Sequence, residues 1–290
     1  MSLDLTTALI QTQALRLSPP GQVFWYTSGT VGPYYINTHY LYGGQAPAEE
    51  LLRFIDAESG DRQAFPGRLQ ARVEAQAAAD PVFAGLIEAL VERARQVGGA
   101  QADFVSGGER RDWFFSPLVA ARLGKPHLLL YKDHRALWYR EGQVEPVAGL
   151  EGQRGIHVAD LITEASSYVR DWIPAIRQRG GEMRCALNVV DRAQGGAEAL
   201  QQAQVRSEAL LRVDAKLFAA LRRAGHIDGQ QEQVLLAYAG DPHAAMKAFL
   251  QENPEFLRQA LRSTDERTAS RARLLAAQNP YQLAPELLRA

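Results

Sequence analysis

The stretch from Ile156 to Ser167, IHVADLITEASS, constrains this chain more than any other. Ile156, Val158, Leu161 and Ile162 are β-formers around a single acid, Asp160. Small and polar residues follow: Thr163, Glu164, Ala165, Ser166 and Ser167. The next run, YVRDWIPAIRQRGG, has helical character, with Pro174 inside it. A strand ending in an acid, a hydroxyl-bearing turn and a helix start with free backbone N–H groups suit a phosphorylated sugar. The acid can accept hydrogen bonds from sugar hydroxyls or hold a metal, while the helix dipole favours phosphate.

A second stretch, ADFVSGGERRDWFFSPLVAARLGKPHLLLYKDHR, reads as a βαβ unit. Asp103-Phe104-Val105 is a strand, Ser106-Gly107-Gly108 a glycine turn, Asp112 to Leu123 a helix, and His127 to Tyr131 another strand. Such a unit implies a parallel sheet with a right-handed crossover. In isolation Arg110 and Arg111 would read as a solvated loop pair; placed after a strand and a Gly-Gly turn, they could equally be an oxyanion site. Residues 168–181 supply a crossover helix, and EMRCALNVVDRAQGGAEAL the next strand and turn.

Upstream, residues 4–17 have helical spacing, and VFWYTSGTVGPYYINTHYLYGG reads as strand, tight turn, strand. From Pro47 to Gly98 the pattern is mainly helical, with a loop-plus-helix insertion at about 56–80 that carries no evident chemistry. Beyond Ser207 the spacing predicts helices only, with Asp241 and Asn253 as N-caps ahead of prolines. The expected division is 1–206 as an α/β domain and 207–290 as a helical extension.

Net charge is −1 and the pI is about 6.6, which argues against a nucleic-acid footprint. No apolar run approaches the roughly 20 residues that span a bilayer. Cys185 is the one cysteine, set in an apolar strand-like run, so no internal disulfide can form and a reducing setting is favoured. The N-terminal MSLDLTTALIQTQALRL lacks the basic and apolar regions of a signal peptide, so a cytoplasmic protein is expected. Its six histidines are dispersed, without HExxH or Cys-His spacing, and Walker A, G-x-G-x-x-G and G-x-S-x-G motifs are absent.

The central stretch resembles the phosphoribosyl-pyrophosphate motif of type I phosphoribosyltransferases: apolar strand, two acids, apolar pair, Thr, then a Gly-rich turn ending in Ser or Thr. Ala159 stands at the first acid, Asp160 at the second, and Glu164 enters the turn. Ser28-Gly29, Pro33-Tyr34-Tyr35 and Asn37 are similar to the N-terminal signature of orotate phosphoribosyltransferases, with Thr27 at the family's lysine. Tyr131-Lys132 matches the family's Arg-Lys, which opens a mobile catalytic loop. Arg135 stands where the family's loop has its catalytic lysine, with His134 as a possible substitute. Asp191-Arg192 followed by Gly195-Gly196 matches its Asp-Arg-x-x-x-Gly.

The resemblance implies the type I phosphoribosyltransferase fold: a central, mostly parallel sheet flanked by helices, with an N-terminal β-rich hood and the helical C-terminal extension. It implies transfer of ribose 5-phosphate from phosphoribosyl pyrophosphate to a nitrogenous base, an orotate-like pyrimidine favoured. Asp160, Arg135 and Lys132 would be catalytic, and Asp160, Thr163, Ser166 and Ser167 would hold ribose 5-phosphate. Gly107, Gly108, Arg110, Arg111 and Lys132 would meet pyrophosphate; Ser28, Tyr34, Tyr35 and Arg192 would hold the base. Magnesium would arrive on the diphosphate, with Asp160 as its one candidate protein ligand, and a homodimer is expected. The departures at Ala159, Glu164, Thr27 and Arg135 keep two further readings open: a non-catalytic phosphoribosyl or nucleotide sensor, and a scaffold.

Overall fold

A computed structural model of the chain describes residues 3–288, so the first two and last two residues of the expected division lie outside it. Two compact units emerge. One comprises residues up to Ala14 with Asn37–Val213; the other comprises Leu15–Ile36 with the residues from Asp214 onward.

The first unit carries a seven-stranded sheet in the spatial order Arg206–Arg212, Glu182–Asp191, Arg154–Ile162, Phe104–Gly108, His127–Leu130, Ala136–Arg140, Gln143–Pro146. The first five strands run parallel and the last two are antiparallel additions. This is the α/β architecture expected from the sequence. Arg154–Ile162 lies centrally and is buried from Gly155 to Asp160, as its near-continuous apolar run requires. Helices flank the sheet. Pro81–Gln96 starts on Asp80, whose carboxylate accepts from the Phe83 N–H, and buries Phe83, Leu86, Ile87 and Leu90. Ile173, Ala175 and Ile176, from the helix Ile173–Arg177, join Phe104, Leu128, Leu130 and Ala159 in one apolar cluster.

Cys185 is buried in Glu182–Asp191, and burial pushes its thiol up to about 12, so it packs as an inert core residue. One polar pair also lies in this core. Tyr168 Oη donates to Asn188 Oδ1 at 2.7 Å, and both residues are buried. Tyr168→Phe leaves that acceptor unsatisfied and is expected to cost about 1–3 kcal/mol, read as a shifted urea midpoint.

Four local expectations change. Ser106, Gly107 and Gly108 are strand rather than turn, because Ser116 and Trp172 pack where side chains on the two glycines would be. The expected helix 112–123 is a 3₁₀ turn, Arg111–Phe114, followed by a helix, Ser116–Leu123, with its proline in the first turn. The segment after Lys132, expected as a mobile loop, is the antiparallel hairpin Ala136–Arg140/Gln143–Pro146. Its turn uses Glu141 and Gly142 at φ 50° and 81°, the left-handed pair that suits strand twist. Finally, Arg206–Arg212 is an edge strand, not helix. Its half-buried pattern and the helix Ala215–Arg223 directly after it blend into one helical periodicity in the sequence.

In the second unit, Leu15–Leu17 pairs with Tyr34–Ile36, and Phe24–Trp25 with Val31–Gly32. The C-terminal helices build a core against these strands. Trp25 stacks on Phe256 at 5.3 Å, Tyr34 meets Tyr238 edge-on at 5.5 Å, and Tyr281 Oη accepts from the Val31 N–H at 3.0 Å. Asp241 caps its helix as expected, accepting from Ala244 N–H at 2.9 Å. Asn253 sits at its N-cap position without a capping bond, its amide donating instead to the Phe249 carbonyl. Among the described residues no helix is long and apolar enough to cross a membrane.

Candidate active site

The strands Phe104–Gly108 and Arg154–Ile162 are neighbours, yet the chain leaves them in opposite directions. One leads to His127–Leu130 on one side, the other to Glu182–Asp191 on the other. Such a switch point opens a crevice beyond the carboxyl ends of the strands. Here their pairing runs only from Phe104↔Gly155 to Ser106↔His157. Beyond it lies a cleft of about 510 Å³, lined by Glu109–Asp112, Lys132, Ala159–Tyr168 and Trp172. It is built wholly within the first unit.

One wall is the strand end and the turn after it. Asp160 is 8% exposed; burial first and the Asp112 carboxylate second push its own carboxyl up to about 7, with Arg111 pulling the other way. After Thr163 and Glu164 the backbone turns left-handed at Ala165, φ 59°. The family's turn uses glycines, but this one needs a single left-handed residue and makes it with alanine. The helix then starts at Ser166 and Ser167 and runs through a π-helical segment, Tyr168–Trp172, into Ile173–Arg177. Its first amides have no intrahelical acceptor, so exposed hydroxyls and N–H donors meet at one helix start.

The facing wall is cationic. Arg110 pairs with Asp56, at the start of the insertion that showed no chemistry in the sequence, and Arg62 from the same region reaches Asp133 at 2.5 Å. Both pairs are at least partly exposed, so they hold the arginines loosely. The Lys132 N–H donates to Glu109 Oε2 at 3.1 Å, which ties the lysine's backbone to the arginine loop.

A buried hydrogen-bonded chain lies behind this wall. Ser106 Oγ is 3.0 Å from His157 Nδ1, and His157 Nε2 is 3.2 Å from Asp112 Oδ2. Asp112 Oδ2 also accepts from the Gly108 N–H at 2.9 Å, and its Oδ1 lies 3.4 Å from the Asp160 amide nitrogen. Asp112 thus bridges the two strands where their ladder ends. Nothing in the sequence pattern singles it out, since an aspartate opening a helical stretch reads as a cap.

The structure therefore brings together Asp160, Thr163, Ser166, Ser167, Arg110, Arg111 and Lys132. Gly107 and Gly108 do not line the cleft, and the Gly108 N–H, expected to face diphosphate, is taken by Asp112. Arg135 is also outside the lining; its guanidinium is 3.3 Å from Asp133 and its side chain 71% exposed. His134 lies 3.6 Å from Asp171. Arg192 is half-buried at a strand end, its N–H donating to the Ile162 carbonyl. Ser28, Tyr34 and Tyr35 belong to the second unit. There Ser28 Oγ bonds Thr30 Oγ1, Tyr34 is buried, and Tyr35 Oη donates to the Trp25 carbonyl.

No protein-family model matches the chain. It is 35% identical over 138 residues to an adenine phosphoribosyltransferase of Novosphingobium aromaticivorans, covering 43% of this chain and 75% of that protein. It is 32% identical over 97 residues to an orotate phosphoribosyltransferase of Methanopyrus kandleri, covering 33% and 51%. Among solved structures, the UMP synthase of Leishmania donovani superposes with a TM-score of 0.53 at 18% identity, over 86% of this chain and 42% of that one. The orotate phosphoribosyltransferase of Aeropyrum pernix superposes with a TM-score of 0.50 at 22% identity, over 77% and 99%. At these identities the two structures establish the shared fold.

Proposed function

The chain is a divergent member of the type I phosphoribosyltransferase family, and we propose that it transfers ribose 5-phosphate from phosphoribosyl pyrophosphate to a nitrogenous base, an orotate-like pyrimidine being the favoured acceptor. The observation that carries this reading is the shared cleft of Asp160, the Thr163–Ser167 turn and the cations Arg110, Arg111 and Lys132. Thr163, Ser166, Ser167 and the helix-start amides hold the 5′-phosphate. Asp160 accepts from a ribose hydroxyl and stabilises positive charge growing on the ring. Arg110, Arg111 and Lys132 stabilise the departing diphosphate. The base attacks the anomeric carbon from the opposite face as the carbon–oxygen bond to pyrophosphate breaks, inverting that centre.

The acceptor assignment rests on the Ser28 to Asn37 signature and on Arg192. Adenine is its competitor, since the adenine phosphoribosyltransferase shares 35% identity over 138 residues. Magnesium fits the site: Asp112 and Asp160 offer the hard oxygen donors it takes. Among the described residues no three acidic, histidine or cysteine groups form a metal cage. The ion would sit chiefly on diphosphate oxygens, where it neutralises the leaving group.

Pyrophosphate release measured with orotate and with adenine tests the transfer. Release with orotate supports the full reading, and release with adenine alone overturns its choice of base. Glu164 on the cleft wall, with Arg135 outside the lining, favours a second reading, a phosphoribosyl sensor. Tight binding with no release for any base would select it.

Glu164 is not at positive φ, so its charge rather than its backbone opposes phosphate. Glu164→Gln is expected to tighten ribose 5-phosphate binding about two- to fivefold at low salt, with the gain shrinking as salt rises. Equal affinities in titration calorimetry would remove Glu164 from the phosphate's surroundings.

A further inference from the structure

We infer that Asp112 is a second ribose-recognising carboxylate of the cleft, accepting from a sugar hydroxyl beside Asp160. The inference rests on the proposed phosphoribosyl reading of the site. Asp112 lines the cleft, although it is only 8% exposed. Its Oδ2 is filled, by the Gly108 N–H at 2.9 Å and by His157 Nε2 at 3.2 Å. Among the described residues its Oδ1 has only the Asp160 amide, at 3.4 Å, a length at the limit of hydrogen bonding. A carboxylate has about four acceptor positions, so Oδ1 keeps capacity for a donor from the cleft.

The carboxylate is also rigid. His157 is fully buried, its Nδ1 lies 3.0 Å from Ser106 Oγ, and its ring stacks on Trp172, so the group that orients Asp112 is itself held from two sides. Ser106 is fully buried as well, so this Ser–His–Asp chain cannot act as a nucleophile and serves to position its aspartate. Two fixed carboxylates from different elements then face one cleft. A vicinal diol presents two adjacent hydroxyl donors, whereas a phosphate dianion presents none. The pair therefore marks the ribose subsite, and Ala159 leaves no second acid on the strand itself to share that work.

The test is calorimetric binding of ribose 5-phosphate, 2-deoxyribose 5-phosphate and 3-deoxyribose 5-phosphate to wild type and to Asp112→Asn. Wild type is expected to bind ribose 5-phosphate about tenfold or more tightly than either deoxy sugar, the size of a charge-assisted hydrogen bond. Asp112→Asn should reduce one of these two preferences to less than twofold while binding that deoxy sugar as wild type does. A purely structural role would weaken all three ligands alike and leave the ratios unchanged; that outcome overturns the inference. If Asp112→Asn fails to fold, Asp112→Glu, which keeps the charge but displaces it by a methylene, must lower the same ratio, and an unchanged ratio there also overturns it. Failure of wild type to bind any of the sugars would instead overturn the phosphoribosyl reading, and this inference with it.

Discussion

Asp160→Asn should slow phosphoribosyl transfer about a hundredfold or more while making the ligand-free protein harder to unfold at pH 8. The carboxyl is buried beside Asp112, and its folded-state value is raised from 3.8 to about 7. The folded protein therefore holds a proton there that the unfolded chain gives up. Stability from that proton is fully present below about pH 4 and is lost as pH rises through about 7, because the buried group must then carry charge. Asparagine stays neutral throughout. The variant's advantage should thus grow between pH 4 and 8, to on the order of 4 kcal/mol, since the proton affinity changes by about three powers of ten, each worth about 1.4 kcal/mol. Activity moves the other way. Removing a charged group aimed at the transition state costs about 10²- to 10³-fold in kcat/KM. Urea unfolding of both proteins across this pH range reads the first effect, and pyrophosphate release the second. A variant no more stable than wild type at pH 8 would mean that Asp160 is not held as the structure has it.

Trp172→Ala should be the most destabilising single change near the site. Trp172 is 4% exposed, stacks on His157 and fills the space that a Cβ on Gly108 would need. Truncating a buried tryptophan costs about 3–5 kcal/mol through lost transfer energy and the cavity left behind. In a unit of this size that lowers the melting temperature by roughly 10 °C. Gly108→Ala is expected to cost about 1–3 kcal/mol by overpacking against the same ring. The two changes are coupled. In a Trp172→Ala background the added methyl at 108 meets a cavity instead of an indole, so the double variant should be as stable as Trp172→Ala alone or slightly more so. Strict additivity in a double-mutant cycle would show that Gly108 is not held by Trp172.

Much of this site was legible because it is local in sequence. Asp160, Thr163, Ser166 and Ser167 fall within eight consecutive positions whose strand, turn and helix signals agree. Arg110, Arg111 and Lys132 follow strands that lead to the same end of the sheet. What was hidden depends on distant partners. Asp112 reaches across to residues 157 and 160, a relation no periodicity records. Gly107 and Gly108 look like a turn, because packing of Ser116 and Trp172 demands the same residue type as a bend. The hydrogen bond between Val31 and Tyr281 spans 250 positions, so the grouping of the aromatic hairpin with the C-terminal helices could not be read from either stretch alone. Arg206–Arg212 was missed because an edge strand with half-buried residues lacks strong alternation.

Titration calorimetry with phosphoribosyl pyrophosphate and magnesium tests the central claim most directly. The cleft of Asp160, Thr163–Ser167, Arg110, Arg111 and Lys132 should give saturable binding at one site per chain, weakened about tenfold or more by Asp160→Asn in a protein that is still folded. Absence of binding by the folded wild-type protein, or binding of equal strength in Asp160→Asn, would contradict the assignment of this cleft to a phosphoribosyl ligand.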